Sequence, residues 1–444
     1  MKRNHRLASN QPLSRNLRIG RWGVAGLLAV GLVATACGSS SKNTTSTTAA
    51  PTGSTSATTA GGGTSTAGDT TGVTSSTITI GEVADVSGPV PGLFQGAEYG
   101  IDAWADYVNA TGGIDGRKVA IDFKDSALSC PTYTSSVSSL IGSAFASVGT
   151  YAIFDSCGKA PLVAHPNFPN IQGAVLTPSM NLLPNVFTPV PSPSGFATTG
   201  YQYVKDKFPT AIAHTAALYG SAVLQDFKEQ SNAAKSIGYT YVYTDGLSDT
   251  ATNFTADILR MKSEGIQIVD MQDCDAIEVA DFTQQAQQQD FKPLALFSAA
   301  AYDPGFFTDA GSANADYVVM ALPVALYLDP ASTIPNVVAY NKYLSIAHPG
   351  TKPNLFGIEA FAAGLLFQQA MSAAGPNPSR SATIAALDKI TSFDGGGLIG
   401  PTNPGGKVPG VCYVIAGISN HAFVRVTPAT GYECQGTFVP YSGS

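Results

Sequence analysis

Apolar positions along this chain follow two periods that alternate with each other. Thr77-Ile78-Thr79-Ile80-Gly81 alternates as a strand and runs into a Gly/Pro loop, VSGPVPG. Ala97, Ile101, Trp104 and Val108 then recur on one apolar helix face, and Gly112-Gly113 stops that helix. Val119, Ile121 and Phe123 alternate as the next strand. Further strand-like runs lie at 151–154, 174–176, 216–218, 239–243, 266–271 and 294–297. Helical stretches at 225–236, 254–264 and 276–289 separate several of them, and 359–373 forms another long helix. Strand and helix in alternation predict parallel sheets covered on both faces. Ligands in such sheets bind beyond the carboxyl ends of the strands. The character changes at the end of the chain, where 411–415, 423–426 and 437–439 read as antiparallel β.

The first 76 residues follow neither period. Residues 1–21 hold six cations (Lys2, Arg3, Arg6, Arg15, Arg18 and Arg21) and no acid. Trp22 to Ala36 is then uncharged and ends in small residues, so 1–36 reads as a secretory signal. Ala34-Thr35-Ala36-Cys37 resembles a bacterial lipobox, with Ala34 where Leu or Val is usual; the resemblance implies a lipid anchor on Cys37. In Gly38–Ser76, 22 of 39 residues are Ser or Thr, with one Lys and one Asp. Such a segment has nothing to bury. The 37–76 segment is therefore read as a lipidated Cys and a disordered tether, spanning roughly 35 Å as a flexible coil.

Composition narrows the function. Only 12% of the 444 residues are charged, and 24 Lys+Arg against 31 Asp+Glu give a net charge of -7. Removing the six leader cations leaves 18 against 31, a balance of -13. An acidic chain lacks the basic footprint of a nucleic-acid binder. After residue 36 no apolar run reaches the roughly 18 residues that span a bilayer, which excludes a polytopic membrane protein.

Export permits disulfides. Cys130 follows the second strand and Cys157 the third, so both reach one edge of the first lobe, while Cys412 and Cys434 flank the C-terminal β segment. The expected pairs are 130–157 and 412–434. Cys274 is left over, either a partly buried free thiol or a reactive or metal-binding group. Gly395, Gly397 and Gly400 match G-x-G-x-x-G, but Pro401 and Pro404 forbid the helix that motif must open. Gly406-Lys407 lacks Walker spacing, and Gly417 to His421 misses a nucleophile elbow. The five histidines have no metal spacing. Asp270, Asp273 and Asp275 form either a cation site or a solvated strand end. No nucleophile is assembled with a base, so the chain reads as no enzyme, with no cofactor and no metal.

The opening of the folded part carries a more specific pattern. ITIGEVADVSGPVPG followed by QGAEYGIDAWADYVNATGGIDGRKVAIDFKDS resembles the start of type 1 periplasmic solute-binding proteins of the branched-chain amino acid (leucine-binding protein-like) group of ABC importers. The turn from Asn109 to Lys118, NATGGIDGRK, is its most specific part, and Asp125 matches the Asp closing the next strand. Leu218-Tyr219-Gly220, Phe254 to Lys262 and residues 295–307 sit where that family places second-lobe elements. The Cys130–Cys157 spacing also looks like a disulfide of the family. The implied fold is α/β: two doubly wound parallel-sheet lobes joined by three crossovers, with a C-terminal antiparallel segment. Lobe 1 would be 77–190 and 322–395, and lobe 2 would be 191–321 and 396–440.

The resemblance implies an exported monomer, anchored to the outer face of the cell membrane, that traps a small molecule between the lobes. It would hand that amino acid, or related amide or acid, to an ABC importer permease. The alternative on the same fold is a sensory or surface module that passes the ligand to a receptor. Strand-end loops should supply the contacts. Expected in lobe 1 are Ser87, Gly88, Phe94, Ser156, Gly158, Lys159, Thr177 and Ser179; in lobe 2, Tyr219, Asp273, Ser298 and Tyr302. Two departures bear on the ligand. Gly158-Lys159 stand where the amino-acid binders carry Ser/Thr, and Ser298 to Ala301 lack the family's acid for the ligand ammonium, Asp303 being nearest. Lys159 would suit an anion; Asp273 and Asp275 would suit a cation.

Overall fold

The computed structural model describes residues 68–248 and 251–443. The signal segment, Cys37 and most of the expected tether lie outside the described residues.

The first sheet is parallel and contains β1 (Thr77–Ala84), β2 (Lys118–Asp125), β3 (Ala146–Thr150), β4 (Asn170–Gln172) and β5 (Val186–Phe187), in the order β2-β1-β3-β4-β5. Between the first strands run α1 (Gln95–Ala110) and α2 (Cys130–Ser143), followed by the short α3 (Lys159–Ala164). Ile101, Trp104 and Val108 of α1 are fully buried, each worth about 1.5–3 kcal/mol of burial. Gly112 and Gly113 end α1 at φ +111° and +79°, a backbone open mainly to glycine.

β3 and β4 begin about four residues before the strands expected at 151–154 and 174–176. These two strands are buried along their whole length, so no polar position alternates to mark them. Their polar residues pair in part with one another: Ser147 and Thr150 share a hydrogen bond of 2.8 Å, and Gln172 Nε2 donates to Asn170 Oδ1 at 3.0 Å, while Asn170 Nδ2 and Gln172 Oε1 have no partner among the described residues. The shift has a functional consequence. Tyr151, still bridged to Ala84 of β1, and Ala174–Leu176 lie just past the ends of β3 and β4.

The second sheet has seven strands: β7 (Thr215–Gly220), β8 (Tyr241–Leu247), β9 (Ile268–Asp270), β10 (Ala295–Phe297), β11 (Val318–Leu322), β12 (Val414–Ser419) and β13 (Ala422–Thr427). Their order is β13-β12-β11-β10-β9-β7-β8, parallel up to β11, with β12 and β13 antiparallel. Its helices are α4 (Thr199–Lys207), α5 (Leu224–Ser236), α6 (Thr255–Ser263), α7 (Ala276–Gln288) and α8 (Phe306–Ala310). β11 is wholly buried, so no alternation marks it in the sequence. A separate antiparallel pair joins β6 (Gly195–Ala197) to β14 (Phe438–Pro440).

The chain then returns to the first sheet. α9 (Pro335–Ala347) and α10 (Leu355–Ala374) pack on α1, and α11 (Arg380–Leu387) packs on α10. α1 and α10 cross closely through glycines. A Cβ on Gly100 would collide with the Gly357 carbonyl, and one on Gly364 would enter the Trp104 indole.

Residues 69–76, inside the segment read as tether, are folded onto this sheet. Thr79 N–H donates to the Gly72 carbonyl at 2.7 Å, and Val73 packs on the core. Asp69 pairs with Arg380 at 2.7 Å. The buried Arg380 guanidinium also donates to the Ile141, Ala144 and Phe145 carbonyls, closing the C-terminal end of α2. Cys130–Cys157 and Cys412–Cys434 are disulfides, as expected, and Cys274 is a buried free thiol.

Candidate functional site

A cavity of about 320 Å³ opens where the two sheets and their crossing segments meet. The loop after β4 supplies Ala174, Leu176 and Pro178 to its wall, and α10 supplies Glu359. Across from them α5 contributes Asp226, Glu229 and Gln230. The crossing segments close it with Val190, Ser192, Phe196, Thr402, Tyr413 and Phe438. The cavity has the size of a small-molecule pocket, and its wall combines apolar surface with a few carboxylates.

Glu359 is the most unusual group in that wall. It is the only charged residue in the 20-residue α10 and is 5% exposed. Tyr151, placed just past β3, donates its hydroxyl to Glu359 Oε2 at 3.0 Å. Burial pushes the Glu359 carboxyl up to about 8, with the Tyr151 bond pulling the other way. Glu229, by contrast, is fully engaged. Its carboxylate accepts from Ser194 Oγ (2.7 Å), Gly195 N–H (2.8 Å) and Gln225 Nε2 (3.0 Å), which fixes α5 to β6. The short hydroxyls of the wall are spent on the backbone. Ser192 Oγ donates to the Val190 carbonyl at 3.0 Å, and Thr402 Oγ1 to the Pro189 carbonyl at 2.7 Å.

None of the twelve residues expected from the sequence lines this cavity. Two of them adjoin it: Thr177 and Ser179 flank Pro178, and the Thr177 N–H donates to Asp155 Oδ2 at 3.1 Å. Asp273 stands one bond behind the wall, accepting from Gln230 Nε2 at 2.6 Å. Burial, then the neighbouring Asp270 and Asp226, push its carboxyl up to about 8.

The others serve the frame. The Ser87 N–H donates to both Asp125 carboxylate oxygens at 3.2 Å, and Gly88 holds φ +99° against the Ala127 carbonyl. Phe94 is 4% exposed, packed between Tyr151 and Phe356 at ring distances of 4.5 and 5.0 Å. Ser156 and Lys159 are exposed, while Gly158 is buried against the Tyr133 ring. Tyr219 stacks on Phe227 at 4.1 Å. Ser298 is fully buried and its Oγ has no partner among the described residues. Tyr302 is 3% exposed and its hydroxyl accepts from the Leu328 N–H at 3.0 Å.

The other candidates are local structure too. Asp275 caps α7 in a reciprocal arrangement with Glu278. Asp303 Oδ1 accepts from the Gly305 N–H in its own turn at 2.7 Å. Tyr201 and Tyr241 hydroxyls donate to Asp270 at 2.9 and 2.6 Å. Cys274 Sγ points at the Leu218 carbonyl, 3.3 Å away, and burial pushes its thiol far up. Among the described residues, no three His, Cys, Asp or Glu side chains are arranged to hold a metal ion. Among them, too, no helix is long and apolar enough to cross a membrane.

Residues 77–421 match the family described as periplasmic binding protein, and the chain belongs to that family. It is 26% identical over 199 residues to Leu/Ile/Val-binding protein homolog 3 of Brucella melitensis, covering 43% of this chain and 53% of that protein. It is 26% identical over 198 residues to Leu/Ile/Val-binding protein BraC3 of Rhizobium johnstonii, with the same shares. The chain thus spans about half the length of the curated relatives it matches. A fatty acid ABC transporter substrate-binding protein from Thermomonospora curvata shares the fold at TM-score 0.64 and 16% identity, over 83% of this chain and 95% of that one. So does the Streptococcus pneumoniae branched-chain amino acid transporter substrate binding protein LivJ, in complex with isoleucine, at 0.61 and 16%, over 79% and 100%. A solute binding protein from R. palustris in complex with 4-hydroxybenzoate aligns at 0.61 and 16%, over 80% and 97%. The family and these fold neighbours are binding proteins rather than enzymes.

Proposed function

We propose that this chain is the solute-capturing component of an ABC importer, exported, tethered outside the cell membrane through a lipid on Cys37, and acting as a monomer. The lobes of the trap would be 77–190 with 322–395 and 191–321 with 396–440. A ligand touching both would favour the closed arrangement, which a permease could then read. The observation that carries this reading is the 320 Å³ cavity, whose wall is drawn from both sheets' neighbourhoods and from the segments that cross between them. A cavity at that position is reshaped by any rotation of one lobe against the other.

The test is ligand-dependent stabilisation of the full chain by a panel of amino acids, amines, amides and small carboxylates. A solute that binds only the folded state raises the melting temperature by mass action. A dose-dependent rise with one class supports capture; a flat response to the whole panel refutes it. The anchor is tested separately. Cys37→Ala should move the protein from the membrane fraction to the soluble one, and unchanged membrane attachment would refute the lipid.

A further inference from the structure

We propose that the cavity takes a cationic solute, an amine with an apolar body and no carboxylate, and that Glu359 is the group that holds its ammonium. This rests on the solute-capture reading above and names the ligand class for the same site.

The argument begins with what the wall can accept and donate. Three carboxylates line the cavity, on Asp226, Glu229 and Glu359, and no Lys, Arg or His does. Glu229 is spent on Ser194, Gly195 and Gln225. Asp226 is exposed at the rim of α5. Glu359 is the buried one, and its hydrogen bond from Tyr151 occupies Oε2. Among the described residues, Oε1 has no hydrogen-bond partner, although the side chain belongs to the cavity wall. A buried carboxyl facing a cavity with one oxygen unpaired is costly unless something supplies a donor. An ammonium supplies three donors and the compensating charge.

Among the described residues, the same wall offers an anion no cation and one uncommitted side-chain hydroxyl, that of Tyr413. Ser192 and Thr402 hydroxyls are committed to backbone carbonyls, and Gln230 donates its amide to Asp273. Lys159, the cation the sequence offered, lies exposed and does not line the cavity. An α-amino acid needs both a carboxylate site and an ammonium site; this cavity is built for the second. Phe196, Val190 and Phe438 on the crossing segments give the remainder of the solute an apolar surface.

Charge bookkeeping gives the reading a signature of its own. Around Glu359 are the Tyr151 hydroxyl past β3 and, elsewhere in the cavity wall, Tyr413 and the Asp226 and Glu229 of α5. Tyr327, after β11, also senses its charge. None of these is a cation, so the empty site keeps Glu359 protonated below about 8. Binding an ammonium requires the carboxylate. The proton on Glu359 therefore leaves to solvent as the amine binds, and affinity rises with pH up to about 8.

The experiment is calorimetric titration of the full chain with three probes that share a phenethyl body, phenethylamine, phenethyl alcohol and 3-phenylpropionate, with leucine as the amino-acid probe. The expected result is that phenethylamine binds at least about tenfold more tightly than the other three. Its binding should release a proton, read as a heat that depends on the buffer's ionisation enthalpy. Glu359→Gln keeps the side-chain shape and should lose both the proton release and most of the preference for the amine. Asp226→Asn should lower affinity less and leave the proton release in place. Binding of the alcohol, the acid or leucine as tightly as the amine would overturn the cation assignment while leaving solute capture standing. Failure of all four probes would overturn the cation assignment, and the capture reading falls only if the wider panel of solutes is flat as well. Unchanged amine binding in a folded Glu359→Gln protein would overturn the role given to Glu359.

Discussion

The Tyr151 hydroxyl donates to Glu359 Oε2 at 3.0 Å, joining the residue just past β3 to the first turns of α10. Both groups are nearly inaccessible, at 5% exposure each, and their bond decides which carboxylate oxygen is left for the cavity. Tyr151 is held in turn by Phe94 and Phe356, at ring distances of 4.5 and 5.2 Å. The orientation of the acid is thus set by an aromatic cluster in the first-sheet core.

Tyr151→Phe keeps that cluster and removes the one donor. The Glu359 carboxyl should then rise further above its ordinary value, because the bond that favours its charged form is gone. The pH at which amine affinity reaches its plateau should move upward by about one unit, with little change in binding of uncharged solutes. Calorimetric titration across pH checks this; an unmoved plateau would show that Tyr151 does not tune the acid.

Stability of the empty protein should fall with rising pH over a defined window. Glu359 goes from an ordinary 4.5 to about 8, and Asp273 from 3.8 to about 8. Each folded-state value lies above the unfolded one, so the folded state binds the proton more tightly. The contribution is complete below the unfolded values and is lost as pH rises through about 8. Glu359→Gln and Asp273→Asn should each flatten the decline in melting temperature across that window, and the double variant should flatten it most. A wild-type curve that rises over the same interval would contradict the assignment.

Packing between α1 and α10 makes a separate prediction. Gly364 lies against the Trp104 indole, a fully buried ring. Gly364→Ala has no space for its methyl and should cost about 1–3 kcal/mol in chemical denaturation. Gly375→Ala is the contrasting case. Nothing lies within 4 Å of a Cβ there, but the φ of +90° makes that variant destabilising through backbone strain alone.

Arg380 and Asp69 should be unequal partners. Arg380 closes the end of α2 through three backbone carbonyls and has a 6% exposed side chain, whereas that of Asp69 is 45% exposed. Arg380→Met leaves those carbonyls without their donor and should cost about 3 kcal/mol. Asp69→Asn removes a half-exposed ion pair and should cost under about 1 kcal/mol. Equal losses would mean that the N-terminal segment, rather than the α2 cap, carries the energy.

How far the sequence speaks depends on which face each element shows to solvent. α1 and β2 each show one face to solvent and β1 alternates over its first four residues, so all three read directly from their periods, and Gly112-Gly113 marks the turn because only a positive φ fits it. β3, β4 and β11 are buried throughout and carry no alternation, so their positions shifted or were missed. α2 is masked in the sequence by six Ser and Thr from Thr132 to Ser139, residues that also belong to loops. The cavity eluded the strand-end rule because its acids sit within helices. Asp226, Glu229 and Gln230 belong to α5, and Glu359 to α10. One signal was present: a single acid in a 20-residue run that is otherwise uncharged, since a lone carboxyl in a buried helix must meet a partner or a cavity. The cysteines were the reverse case, where two pairs could be placed because strand order brings their loops together.

The central claim, that an amine solute is held in the cavity between the lobes, is tested most directly by measuring phenethylamine binding to the full chain and to Ser192→Trp. Ser192 is exposed on the crossing segment and lines the cavity, so an indole there fills the space without disturbing the core. The account predicts one site per chain in the wild type, and loss of binding in a Ser192→Trp protein that melts at an unchanged temperature. Undiminished binding in the filled variant, or none in the wild type, would contradict it.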